Sequence, residues 1–334
     1  MQDRKLGLIC TLGTTTDPKD VLEEMYACGM TCARINTAYA SIDDYKRRID
    51  ILRSISDIPV MLDLKGPQIR VMCDGLYTIK NGDEFKAGFY NEPVHFSQDF
   101  YDDISNGDAI LFENGTIETV IKDRCDSEIL LEIKDAGEGV FKSHMGVNVP
   151  GKHLDVPKLT SKDLEVLDFA IDINAEYIAL SFVRDPSDLI HLHSVIKEKN
   201  QYYSPGICVK IEDRLGIGNL EEIIKTAKEN EIELSVMIAR GDMHVEVPYE
   251  KVPMIQKAII RMCKKYDVTA ITATGLLDSM KKNKKPARSE VADLANAVLD
   301  GTDGVMLSGE CSNSKYPVEA VRTAKRIIDE YSIE

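Results

Sequence analysis

None of the eight cysteines forms a CxxC pair. Cys28 and Cys32 lie four apart with no second pair at zinc spacing. Cys10 and Cys208 sit inside apolar runs, where a free thiol behaves as a small hydrophobe. The pattern argues against a disulfide scaffold or a zinc module and predicts reduced core thiols in a cytoplasmic protein. Basic charge is also short: 41 Lys and Arg stand against 56 Asp and Glu, for a net charge of -15. A nucleic acid needs a basic face, so none is expected as a partner. A nucleotide is not excluded, because a few local cations hold a phosphate. No apolar run is long enough to cross a bilayer, and residues 1–5 lead straight into a strand, so no signal peptide and no membrane partner are expected. His144, His153 and His244 form no ligand set and read as surface or loop residues. Internal repeats and low-complexity linkers are absent.

What is present is an ordinary globular composition, 43% hydrophobic and 29% charged, over 334 residues. That length suits a large barrel plus one small domain. Short apolar runs at 6–12, 31–36 and 58–65 alternate with helical periodicity, including a helix around 41–54. Asp17 is expected as the N-cap of the first helix and Pro18 as its first residue. From 71 to 149 the rhythm changes to strand and turn, with Asn81-Gly82, Asn106-Gly107 and Asn114-Gly115 as turn signals. Alternation then resumes with a helix at 161–173 and strands at 177–182, 207–212, 234–239, 269–274 and 304–307, separated by helices such as 221–229 and 251–266. Compact apolar runs of this kind suit parallel strands buried on both faces. The reading is an α/β fold: a (β/α)8 TIM barrel from residues 1–70 plus 150–334, with an inserted all-β lid at 71–149. A doubly wound sheet is the alternative.

A (β/α)8 barrel carries its site at the carboxyl ends of its strands. Those ends hold Arg34 and Asn36, then Asp63 to Arg70, Ser181 to Arg184, Lys210 and Glu212, Arg240 to Asp242, Thr274, and Ser308 to Glu310. Glu212 and Asp242 end consecutive strands, about 5 Å apart. Two such carboxylates repel unless a cation bridges them, and Mg2+ suits a few carboxylates plus substrate oxygens. Lys210, two residues before Glu212, projects to the same side. A lysine there stabilises an enolate or a transferring phosphoryl group. Arg34, Arg70 and Arg184 add positive charge. The set fits a small, doubly anionic substrate held with a divalent metal. Taken singly, each part has a plainer reading: Arg240-Gly-Asp242 as a turn, Gly216-Ile-Gly218 as a loop rather than a phosphate cradle, and the lysines of 281–285 as a solvated loop.

These motifs resemble the pyruvate kinase family across essentially the whole chain. Cys10-Thr-Leu-Gly13 resembles its opening strand, and Asp63 to Arg70 its D-T-K-G-P-E-I-R segment. Gly146-Val-Asn-Val-Pro-Gly151 resembles the return from its lid. Val209-Lys-Ile-Glu212, Ala239-Arg-Gly-Asp242, Ala295-Asn-Ala-Val-Leu-Asp-Gly301 and Met306-Leu-Ser-Gly-Glu310 follow in family order. The resemblance implies a barrel with a β lid after strand three, transferring phosphate from phosphoenolpyruvate to ADP through an enolate, with Mg2+ or Mn2+. It implies that Lys210 neutralises the enolate, that Glu212 and Asp242 hold the metal, and that Arg34 grips the phosphoryl group. Gly241 and Thr274 would contact substrate, with Thr274 near the proton delivered to the enolate carbon. Asn36, Arg70 and Lys162 would face the nucleotide. The family's C-terminal regulatory domain is not expected in a chain that stops near the barrel's end. A homo-oligomer through barrel contacts remains open.

The departures cluster. Ala38 and Leu64 replace two side chains of a monovalent-cation site, leaving Asn36 and Asp63 as its remnant. Gln68 replaces a glutamate tied to K+ dependence. Tyr39 replaces a histidine near the nucleotide, and Asn114 replaces a lid aspartate. Gly275 and His244 are further changes. The enolate and metal end is thus retained while the nucleotide and K+ end is altered. Two alternatives stay open: a related barrel enzyme acting on an enolpyruvate or 2-oxo acid with another acceptor or carbon–carbon chemistry, and a non-catalytic metabolite-binding protein.

Overall fold

Eight short apolar runs form the parallel strands of one closed barrel in the computed structural model, which describes residues 6–90 and 92–332. The reading of residues 1–5 lies outside the described residues. The barrel strands are β1 (Gly7–Leu12), β2 (Cys32–Asn36), β3 (Val60–Asp63), β4 (Tyr177–Leu180), β5 (Gly206–Ile211), β6 (Leu234–Ala239), β7 (Thr269–Ala273) and β8 (Gly304–Leu307). Each pairs with its neighbour in sequence, and β8 closes on β1 with Gly7 opposite Gly304. This is the (β/α)8 fold rather than a doubly wound sheet.

The period of two along each strand divides the apolar residues into two layers. Ile9, Cys32, Met61, Ala179, Cys208, Met237, Ile271 and Met306 pack together inside the barrel. Their sequence neighbours, such as Leu8, Leu62, Ile178 and Val209, pack outward against the helices. Two residues further toward the strand ends, the inward positions become Thr11, Arg34, Asp63, Ser181 and Lys210. The same alternation that builds the core therefore raises a charged layer directly above it.

The helices show which local signals decided their starts. Helix Ile42–Arg53 is capped by Ser41, whose hydroxyl accepts from the Asp44 N–H, while Asp44 reaches back to the Ser41 N–H. Its buried Tyr45, Ile49 and Leu52 recur at helical spacing. Asp17 does not cap the first helix. That helix runs Lys19–Ala27 behind Pro18, and the Asp17 carboxylate instead binds Arg47 at 2.9 Å and Arg48 at 2.7 Å. Two guanidiniums outcompete backbone N–H groups for one carboxylate. Gly216 and Gly218 are not in a loop but inside helix Arg214–Glu229. A Cβ on Gly216 would lie 2.4 Å from the Val183 carbonyl, so this glycine permits a close approach, and its N–H is taken by the Asp213 cap. Arg240-Gly-Asp242 likewise opens a short helix, Arg240–Glu246, rather than forming a turn.

Between β3 and β4 the chain builds a seven-stranded sheet and a two-stranded one. Its longest hairpin pairs Ile117–Cys125 with Glu128–Asp135, whose alternate residues are buried. Phe96, Phe100, Phe112 and Phe141 fill a core separate from that of the barrel. Gly82, Gly107 and Gly115 all adopt positive φ at the three Asn-Gly turns. No helix among the described residues is long and apolar enough to cross a membrane. The described cysteines are free, five of them buried (Cys10, Cys32, Cys208, Cys263 and Cys311), whereas Cys125 is exposed on the insert and so is not a core thiol.

Candidate active site

A cavity of about 240 Å³ opens at the carboxyl ends of the strands, lined by Arg34, Asn36, Asp63, Lys210, Glu212, Asp242 and Thr274 among others. Arg34, Lys65 and Lys210 share its lining with Asp63, Glu212 and Asp242. Asp63, at the end of β3, is the hub. Its Oδ2 accepts from Arg34 Nε at 2.7 Å and meets Nη2 at 2.6 Å, and its Oδ1 lies 3.3 Å from Lys210 Nζ. Arg34 Nη1 also donates to Thr11 Oγ1 at 2.9 Å. Burial drives the Asp63 carboxyl upward, but the Lys210 and Arg34 cations outweigh it and hold it below the ordinary aspartate range.

Lys210 Nζ bridges Asp63 to Glu212 Oε1, 3.1 Å away, and donates to Ser181 Oγ at 2.7 Å. Burial disfavours its charge, yet Asp63 and Glu212 more than offset this and raise its pKa. The Ser181 hydroxyl donates to the Leu64 carbonyl at 2.7 Å, so its oxygen is turned to accept from the lysine. Sequence reasoning gave Ser181 no role. Its phase with inward Ala179 was the available signal.

Glu212 is almost fully buried, and burial with repulsion from Asp242 pushes it up to about 7 despite Lys210. Asp242 is raised in turn, mainly by burial and then by the Asp63 charge. Phe182 sits in the left-handed region at φ +57, and its N–H donates to Glu212 Oε2 at 2.6 Å. Two desolvated carboxylates side by side, each destabilised as an anion, form a hard-oxygen donor pair that a divalent cation relieves. Among the described residues no group of three or more His, Cys, Asp or Glu forms a metal cage. The Glu212–Asp242 pair fits Mg2+, which takes few carboxylates and leaves its remaining positions to water and substrate oxygens.

Other expected residues lie elsewhere. Arg184 does not line this cavity: its Nε pairs with Asp213 at 2.7 Å, in an adjoining pocket that also touches Glu212 and Asp242. Arg70 donates to the His144 carbonyl and to Gln68 Oε1, both at 2.6 Å, at the base of the insert. Lys162 Nζ reaches the Ala40 carbonyl at 3.2 Å on the rim. Gly241 lines a separate groove behind Thr274, together with His244 and Gly275. Asn36 lines the cavity, although its Oδ1 already accepts from the Ala38 N–H. Tyr39, Leu64, Gln68 and Asn114 complete that side of the cavity, with Tyr39 67% exposed at the mouth.

The loop bearing Tyr39 is held from below. Buried Tyr45 places its hydroxyl 2.9 Å from the Thr37 carbonyl, 2.6 Å from that of Tyr39 and 3.0 Å from that of Ala40. Tyr45→Phe removes this anchor, and a loss of about 1–3 kcal/mol is expected, the cost of leaving a buried acceptor unpaired. Urea unfolding measures the loss, and amide exchange should quicken at residues 37–40. Unchanged exchange there would show that the hydroxyl does not hold the loop.

Comparison with known proteins bears on the whole chain. A family model described as the barrel domain of pyruvate kinase matches residues 3–321. Curated pyruvate kinases from Staphylococcus aureus and Staphylococcus haemolyticus are each 39% identical to it over 97% of this chain. The chain spans 56% of the length of those relatives. Matches of this extent settle what the ordered motifs implied: the chain belongs to the pyruvate kinase family.

Proposed function

We propose that the chain is the catalytic part of a pyruvate kinase-like phosphotransferase, moving the phosphoryl group of phosphoenolpyruvate to ADP in the cytoplasm as a glycolytic step. The observation that carries this is the position of Lys210: a largely shielded cation in the cavity, neutralised by Asp63 and Glu212, beside the Glu212–Asp242 pair. Burying such a cluster is costly, and a site with no charge to stabilise has no use for it. Arg34 grips the phosphoryl group. As the bond from phosphorus to the enol oxygen breaks and one to the ADP terminal phosphate oxygen forms, Lys210 takes up the negative charge left on the enolate oxygen. A proton then reaches the enolate carbon on the side of Thr274, giving pyruvate. Glu212 and Asp242 would hold Mg2+, which supplies charge neutralisation to the anionic oxygens. Asn36, Arg70 and Lys162 face the nucleotide. The barrel of 1–70 plus 150–334 acts with a lid of 71–149 that closes to exclude water.

K+ is not required in this reading. Asp63 and Asn36 already have partners in this chain, and Leu64 and Ala38 offer no oxygen on their side chains. A coupled assay with phosphoenolpyruvate, ADP and Mg2+ should therefore give the same pyruvate formation with and without K+. A strong K+ requirement would overturn the claim about the cation site. No turnover in either salt would overturn the kinase reading itself. Tyr39 and Asn114 at the mouth favour, as second reading, the same phosphoryl donor with an acceptor other than ADP. Thermal protection by oxalate and Mg2+ without any added effect of ADP would select it.

A further inference from the structure

Thr274 is a β-branched residue held at φ +73, a conformation that costs about 1–3 kcal/mol unless its surroundings enforce it. Its side chain lines the cavity, while its carbonyl points back into the layer between barrel and helices. There it meets Arg240, the residue that directly follows β6. Arg240 Nη2 donates to the Thr274 carbonyl at 2.8 Å, and Nε reaches the same oxygen at 3.1 Å and the Ala273 carbonyl at 3.3 Å. The other side of the guanidinium forks onto Asp293, with Nη1 to Oδ1 and Nη2 to Oδ2 both at 2.8 Å, and Nη1 also meets Gln256 Oε1 at 3.2 Å. These bonds occupy the planar five-donor set of an arginine, and no lysine can span both Asp293 and the Thr274 carbonyl. Arg240 is also the first residue of the helix that carries Asp242, and its carbonyl is bonded to His244 Nδ1. A Cβ on Gly241 would lie 3.1 Å from Thr274 Cγ2, so that helix start and the threonine are packed without slack.

We propose that Arg240 is a positioning residue for the reaction: braced by Asp293, it clips Thr274 into its strained pose and fixes it relative to the helix bearing Asp242. The inference rests on the phosphotransferase reading for its catalytic consequence. Arg240 touches no substrate; it acts through the Thr274 carbonyl. An ion pair serving stability alone needs only the fork on Asp293. The further donors aimed at a strained residue in the cavity wall set this one apart.

Arg240→Lys keeps the charge and loses the clip. Its kcat with phosphoenolpyruvate and ADP should fall by about 10²-fold, the scale of a misplacement of about 1 Å. The KM for phosphoenolpyruvate should stay within about threefold, because ground-state binding is spared. Thr274→Ala added to Arg240→Lys should cost far less than Thr274→Ala alone, since both disable one device. Amide exchange at residues 274–277 should accelerate in the variant. Asp293→Asn weakens the brace with less risk to folding, and should show the same kcat and exchange effects in smaller measure. Unchanged kcat, additive costs, or unchanged exchange at 274–277 in folded variants would overturn the proposal. If the unmutated chain does not turn over phosphoenolpyruvate, the functional reading fails, and the exchange result alone decides whether Arg240 holds Thr274.

Discussion

Lys210→Met lowers kcat by about 10²–10³-fold while the chain stays folded, on the scale set by removing a preorganised donor from a dry site. The ammonium is the group best placed to meet charge appearing on an enolate oxygen, and it is already charged and oriented before any substrate binds. Asp63, Glu212 and Ser181 hold it from three directions at 3.3, 3.1 and 2.7 Å. Methionine matches the length and volume of the aliphatic stem, so the cavity wall is preserved while the donor is lost. Arginine would not rescue the activity, because its broad planar fork does not fit between two carboxylates arranged for a point charge. Circular dichroism establishes that the variant is folded, and the coupled assay reads its turnover. Activity within about tenfold of the unmutated chain would remove Lys210 from the mechanism and leave the reading without its centre.

Asp63→Asn destabilises the chain by about 3–5 kcal/mol at neutral pH, the cost of leaving buried Arg34 without its counter-ion and Lys210 with Glu212 alone. Asp63 is 1% exposed and neutralises both Arg34 and Lys210. With an amide in its place, the Arg34 and Lys210 cations lie close together without the carboxylate that separates their charges. A fall in Tm of roughly 4–7 °C follows for a chain of this size. The pH dependence has a definite sign. The carboxyl is held below its ordinary value of 3.8, so its contribution is fully present above that pH and is lost as pH falls through the lowered value. The gap in Tm between the two proteins should therefore stay constant from neutral pH down to about 5 and close only in stronger acid. A gap that persists unchanged into acid would mean that the asparagine disturbs packing rather than charge. The variant should also lose turnover, since Arg34 and Lys210 would no longer be held in place.

The two substitutions mark the limit of what could be read without coordinates. Asp63 read as the remnant of a monovalent-cation site, because only its place in a motif was available. Its function as counter-ion to Arg34 and Lys210 depends on β2, β3 and β5 presenting those side chains at one height around a closed ring. Arg240 was visible within Ala239-Arg-Gly-Asp242 but carried no assigned role. Its partners, Asp293 and Thr274, lie 53 and 34 residues away and meet it only once the helices wrap the barrel. The two glycines of helix Arg214–Glu229 were misread for a related reason: the Val183 carbonyl that demands Gly216 comes from another strand end.

Periodicity and composition alone determined the eight strands, the change of rhythm at 71–149 and the inward phase of Lys210 with Glu212, while the order of motifs carried the resemblance to the family. Those are local properties, set by which side of a strand a residue occupies and by which residues suit a turn. Tertiary structure decided which charges neutralise one another, which carboxylates are pushed up and which one is held down, and what keeps Thr274 in a left-handed backbone. Those depend on burial and on distances between strand ends far apart in the chain, and electrostatic energy in a dry cavity changes steeply with both.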